Sequence, residues 1–278
     1  MTAIATTAPS RPAGPAANRG ASFPVATLTV AGRTIKKFVR TPQLIVAGTL
    51  SGVMFLIIFR YVFGGAISHT GTMTYVNFVV PGFVMTSVLF TGMGSAAGIA
   101  EDLSEGLFDR LRSLPVPPLS IICGRVLADT AMVTWSLAIT TAFGFAVGFR
   151  IHDGVGSALA AFALCVLFGF AFCWLFIALG FLAGSAQAAQ SLSFLVFPLT
   201  FVSSAYVPVA TMPSWMRAFA NHQPITVMSD TVRILAEGHP AVAVIGHPLS
   251  TYLPQALLWS ALLLALFVPL AVWRLRRS

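Results

Sequence analysis

Charge is what this chain has least of. Of its 278 residues 9% are charged and only eight are acidic. Lysine occurs twice, at Lys36 and Lys37, and cysteine three times, at Cys123, Cys165 and Cys173, with no Cys-x-x-Cys pair. Nothing in that spacing suggests a disulfide framework or a thiolate metal site, so the cysteines read as small core residues. There is no G-x-x-x-x-G-K-[ST], and neither lysine follows a glycine, so the chain has no phosphate-cradling loop of its own. H-E-x-x-H, G-x-S-x-G and paired carboxylates within an apolar run are missing as well. No catalytic residue, metal ligand set or cofactor site can be nominated. A basic balance of 16 Lys+Arg against 8 Asp+Glu could point to nucleic acid, but a membrane protein explains it through its cytoplasmic loops.

What is abundant is apolar sequence. Hydrophobic types make up 57% of the chain and the mean hydropathy is +0.87. Several segments approach or exceed the roughly 20 apolar residues that a bilayer-spanning helix needs. The spacing predicts an all-α membrane protein with six transmembrane helices, near 44–63, 75–100, 119–149, 157–184, 187–207 and 253–273. The fourth and fifth are joined by a very short turn at Ala183–Ala186. Residues 1–22, rich in Ala, Pro and Thr, are expected to be disordered, residues 23–42 to form an interfacial helix, and residues 43–278 the six-span domain. With the N-terminus inside, Lys and Arg divide 12 inside to 4 outside, so both termini are expected in the cytoplasm. The five histidines, His69, His152, His222, His239 and His247, then all lie in outer segments, as loop residues or a pH sensor.

Two elements outside the spans have a pattern. In 23–42, Leu28, Ala31, Ile35 and Phe38 share one helical face and Arg33, Lys36, Lys37 and Arg40 another, which suits a helix lying in the inner interface, ended by Pro42. In the outer segment 208–250, short helices are expected near 214–221 and 225–236, capping a pathway or dipping into the outer leaflet.

Five of the eight acidic residues fall between Glu101 and Asp129, flanked by apolar runs. Leu103, Leu107, Leu111 and Leu114 recur there at helical spacing, widened by Phe108. Glu101, Asp102, Glu105, Asp109 and Arg112 form the polar side. The spacing predicts one amphipathic helix over about 101–117, stopped by Pro115, Pro117 and Pro118. Arg125 and Asp129, four apart, can pair on one helix face, as a structural pair or a proton carrier.

Gly106, the run Asp109–Arg110–Leu111–Arg112–Ser113–Leu114–Pro115, and Gly124–Arg125–x–x–Ala128–Asp129 resemble the signature of type-2 ABC exporter permeases, in the daunorubicin-resistance-type drug and lipid exporter branch. Pro213–x–Trp215, His222–Gln223–Pro224 and Arg233 resemble the same family more weakly. The resemblance implies a six-span subunit that dimerises with an identical or related permease. Two separately encoded ATPase subunits would dock beneath it, binding the ATP and magnesium. It also makes 23–42 the connecting helix and assigns ATPase coupling to Glu105, Gly106, Leu107, Asp109, Arg110, Leu111, Arg112, Leu114 and Pro115. The implied activity is ATP-driven export of a hydrophobic or amphiphilic drug or lipid across a bacterial plasma membrane. A polysaccharide or teichoic-acid-type glycoconjugate exporter is the alternative. A secondary transporter would need intramembrane ion ligands that the chain does not show.

Polar stripes within the spans mark a candidate pathway: Ser87, Thr91 and Ser95 in the second, and Gln187, Gln190, Ser193 and Thr200 in the fifth. Interhelical hydrogen bonding explains them equally well, since a buried glutamine is costly in lipid without partners. Four G-x-x-x-G pairs, beginning at Gly48, Gly94, Gly144 and Gly180, allow close helix approach, for packing within the subunit or at a dimer seam.

Overall fold

A computed structural model of the protein describes residues 21–41, 53–63, 73–112 and 116–277. The expected tail up to residue 20, Pro42, the Gly48/Gly52 pair, the beginning of the first expected span, and Leu114 and Pro115 lie outside the described residues. Among the described residues there is helix and no β-strand.

Four helices are long and apolar enough to cross a bilayer. They are α3 (Tyr75–Ser104), α5 (Pro118–Val147), α6 (Gly154–Ala183) and α12 (Leu249–Arg277). At 1.5 Å per residue, α3, α5 and α6, each of 30 residues, are longer than the ~30 Å hydrocarbon layer, so their ends reach into the interfaces. Around them lie α1 (Phe23–Arg40), the short apolar α2 (Val53–Val62), α4 (Leu107–Arg112), α7 (Ala186–Phe194), α8 (Phe197–Phe201), α9 (Ser214–His222), α10 (Pro224–Glu237) and α11 (His239–Ile245).

The most apolar helix, α6, sits at the centre and packs on α3, α5, α7, α10 and α12. Its close approach to α3 depends on Gly180: a Cβ there would lie 2.6 Å from the Ala96 carbonyl oxygen. Pro118 does more than stop the preceding helix. It occupies the first turn of α5, where its missing N–H costs nothing and its fixed φ suits the helix.

Outside the charged block, two elements differ from what the spacing predicts. The fifth span is not one helix: α7 and α8 are 9 and 5 residues long, and the chain after Phe201 continues in turns to Val207. Pro198 in the first turn of α8 has no N–H to continue the ladder from α7, and beyond it the Thr200 and Ser203 hydroxyls donate back to the carbonyls of Phe197 and Thr200 where α8 ends. The outer helix α10 forms where the spacing predicts it, over Pro224–Glu237. Every residue from Ile225 to Glu237 is buried, against α3, α6 and α12. On α1 the buried positions are Ala26 and Ala31, and Leu28 is 62% exposed, because the face packed on α5 runs through Thr27, Val30 and Ala31.

Candidate functional site

The charged block is divided between two helices. Glu101 to Ser104 form the last turn of α3. Glu105 and Gly106 then turn the chain and α4 begins at Leu107. Gly106 has φ +66°, a conformation that costs an L side chain about 1–2 kcal/mol. The leucine spacing continues across this turn, which is why it read as one helix. Phe108 anchors α4: it is buried and meets Phe181 of α6 edge-on at 5.6 Å. Leu107 is half-buried and Glu105 exposed, and Arg110 lies on the exposed side of α4. Asp109, Leu111 and Arg112 belong to the same short helix.

Behind α4, the ends of α1, α3 and α5 are tied by charge. Arg125 Nε contacts both carboxylate oxygens of Asp129 at 3.1 Å, so the expected pair is present. Its Nη1 also donates to Asp102 Oδ2 at 2.7 Å. The Arg125 side chain is 8% exposed and those of Asp129 and Asp102 are 3% and 14%. One guanidinium thus faces a buried and a part-buried carboxylate, balancing the formal charge of one of them while hydrogen-bonding both. The amphipathic pattern assigned Asp102 to a solvated face. Its signal was electrostatic rather than periodic, since Arg125 has donors left for a second carboxylate after Asp129. Two glycines make room. A Cβ at Gly98 would lie 2.1 Å from Arg125 Nη2, and one at Gly124 would lie 2.7 Å from the Thr27 carbonyl oxygen of α1. Gly124–Arg125–x–x–Ala128–Asp129 is therefore a junction motif: the glycine admits α1, and the charges fasten α5 to α3. At the surface, Lys37 of α1 reaches Glu101 Oε2 at 3.1 Å.

The opposite end carries a second buried polar centre. Arg233 of α10 is fully buried. Its Nε donates to the Phe78 carbonyl at 2.9 Å, its Nη2 to the Ser204 carbonyl at 2.9 Å, and its Nη1 pairs with Asp230. The guanidinium carbon lies 3.8 Å from the centre of the Phe78 ring, a cation–π contact. Ser204 Oγ donates to Asp230 Oδ1 at 2.8 Å. The three-residue spacing of Asp230 and Arg233 is the sequence signal for this pair. Gln223 Nε2 donates to the carbonyls of Leu199 and Val202, at 3.1 and 3.0 Å, satisfying acceptors left free where α8 ends. His222–Gln223–Pro224 thus closes the broken segment and starts α10. Nearby, His152 Nδ1 lies 3.1 Å from Glu237 Oε2, whose side chain is almost wholly buried. Burial pushes the Glu237 carboxyl above its usual range, and the His152 imidazole opposes the shift. His152 is a side-chain partner of Glu237 rather than an isolated loop residue.

The candidate pathway residues do not form one polar channel within the chain. Ser87 and Ser95 are buried and Thr91 is half-buried. The Ser87 and Thr91 hydroxyls donate to the carbonyls of Val84 and Ser87 in their own helix, at 2.7 and 2.8 Å. Ser193 and Thr200, also buried, donate to Ala189 and Phe197 at 2.7 Å each. Gln187 and Gln190 are exposed on α7. Beside them runs a chain of aromatic contacts, from Phe194 through Phe197 (5.0 Å) and Phe201 (5.1 Å) to Tyr206 (5.3 Å), and on to Phe59 and Phe83 at 4.9 and 5.4 Å from Tyr206. Among the G-x-x-x-G residues, Gly98, Gly144 and Gly180 pack within the chain, and a Cβ at Gly94 would meet nothing within 4 Å.

Residues 25–236 match the family model for the ABC-2 type transporter. The chain is 32% identical over 254 residues to the daunorubicin resistance ABC transporter permease protein DrrB1 of Streptomyces coeruleorubidus, covering 91% of this chain and 86% of that one. It is 24% identical over 267 residues to the probable doxorubicin resistance ABC transporter permease protein DrrC of Mycobacterium tuberculosis, covering 94% and 92%. Against the inner membrane transport permease YadH of Escherichia coli it is 27% identical over 215 residues, covering 73% and 80%. The match takes in both polar centres and all of α4. This multi-pass membrane protein belongs to the ABC-2 type transporter family.

Proposed function

We propose that the chain is the transmembrane permease subunit of an ATP-driven exporter in a bacterial plasma membrane, and that it moves a hydrophobic or amphiphilic drug or lipid outward. The observation that carries this is the position of α4, a short helix after Gly106 held to the bundle by Phe108, directly in front of the Arg125 junction. A push on α4 would pass through Phe108 to α6, and through the turn at Glu105–Gly106 to α3 and so to Arg125. ATP binds and is hydrolysed on two separate ATPase subunits, for which Glu105 to Pro115 form the docking element and α1 the connecting helix. The chain crosses six times, with α2 in the first crossing and α7, α8 and the turns to Val207 in the fifth. Both termini are cytoplasmic, in keeping with the 12 to 4 division of basic residues. Two permeases pair to make the pathway, whose wall includes the aromatic run and the exposed Gln187 and Gln190. The drug-resistance relatives support the cargo class. Reconstituted with its ATPase in proteoliposomes, the permease is expected to show ATP hydrolysis stimulated by apolar amphiphiles and their ATP-dependent movement. Absence of both across a broad panel would reject the reading.

A further inference from the structure

Among the described residues, α1 packs on α5 and reaches α3 through Lys37, which leaves one of its faces without a described neighbour. Along that face lie Leu28 and Gly32 toward one end and Arg33, Lys36, Lys37 and Arg40 toward the other. These side chains fall three, four or seven positions apart, so they form one stripe. Arg33, Lys36, Lys37 and Arg40 are exposed, and Leu28 is 62% exposed. The acidic groups at this junction are engaged: Glu101 by Lys37, and Asp102 by Arg125. The face therefore presents concentrated positive charge beside an exposed leucine. A soluble anion would need only the charge. A phospholipid brings a phosphate for the cations and an acyl chain for the leucine.

We infer that this face of α1 is a binding site for the headgroup of an anionic phospholipid of the leaflet in which α1 lies. Arg33, Lys36 and Arg40 donate to the phosphate, and Leu28 packs against the upper part of an acyl chain. Lys37 stays on Glu101 and sets the rotation of the helix, so a bound lipid holds α1 against the junction on which α4 acts. Polybasic segments gain from an anionic membrane surface, and the gain adds up over neighbouring residues. The inference rests on the interfacial placement of α1 and is independent of the cargo.

The test is lipid retention by the purified permease–ATPase complex in detergent, read by native mass spectrometry with phosphatidylglycerol, phosphatidylcholine or inorganic phosphate added. The wild-type complex is expected to retain phosphatidylglycerol roughly tenfold or more better than phosphatidylcholine. Millimolar phosphate should not displace it. The R33Q/K36Q/R40Q variant should lose that preference, the charge-preserving R33K/K36R/R40K variant should keep it, and Leu28→Gln should weaken retention. Equal retention of the two lipids, an unchanged preference in the glutamine variant, or full displacement by phosphate would overturn the site. Transport by the wild-type complex, scored in parallel, separates these outcomes from failure of the exporter reading.

Discussion

At the residue scale, the account turns on a few buried charges in a chain that has almost none. Arg125 faces Asp129 and Asp102 together, so removing it strands two carboxylates rather than one. Breaking a buried pair from one side typically costs about 3–5 kcal/mol. Arg125→Ala is therefore expected to lower the detergent-solution melting temperature far more than a change at the exposed Lys37–Glu101 pair, which is worth about 0–1 kcal/mol. Comparable losses from the two would contradict the junction. Glu237 gives a pH signature. Because burial raises its carboxyl pKa, the folded chain holds this proton more tightly than the unfolded chain does. Its contribution to stability accordingly falls as pH rises above the usual carboxylate range. Glu237→Gln removes that slope, so the variant should gain stability relative to wild type as pH rises above the usual carboxylate range; a pH-independent difference would count against it. Only part of this was legible in sequence. Arg125–Asp129 and Asp230–Arg233 are spaced for one helix face. The approach of Asp102 to Arg125 and of His152 to Glu237 depends on how separate helices pack, which periodicity does not encode.

At the element scale, the long helices were legible because apolar length alone specifies them, and α3, α5, α6 and α12 lie within a few residues of their expected positions. The shorter elements were legible in type but not in place. Ser214–His222 and Pro224–Glu237 are helices as their flanking prolines suggest. Yet α10 is buried all round, because Arg233 and Asp230 satisfy one another and nearby backbone acceptors and so remove the need for a wet face. The charged block read as one helix because its leucines keep their spacing across the turn at Gly106, where positive φ rather than polarity sets the break. Replacing Gly106 tests that turn. Valine is strained there and asparagine much less so. Gly106→Val is expected to reduce ATP hydrolysis coupled to transport with the permease still folded, and Gly106→Asn to retain most of it. Equal coupling in both would show that the turn geometry is immaterial.

At the scale of the whole molecule, the two polar centres divide the labour. The Arg233 centre holds α10 and the broken α7–α8 segment on α3. The Arg125 junction joins α1, α3 and α5 just behind α4. On the exporter reading proposed above, helices between them would move as a body when α4 is displaced, the kind of rigid-element shift that converts a local push into a change of access. Gln187 and Gln190 are exposed among the described residues. Q187A/Q190A should leave stability within about 0.5 kcal/mol of wild type, as surface changes do, while altering transport by the dimer; unchanged transport would remove them from the pathway. The central claim is that α4 receives work from a separate ATPase, and copurification of that ATPase with a D109A/R110A permease tests it most directly. The account predicts a folded, monodisperse permease that no longer retains the ATPase and no longer transports. Full retention with undiminished ATP-dependent transport would contradict it.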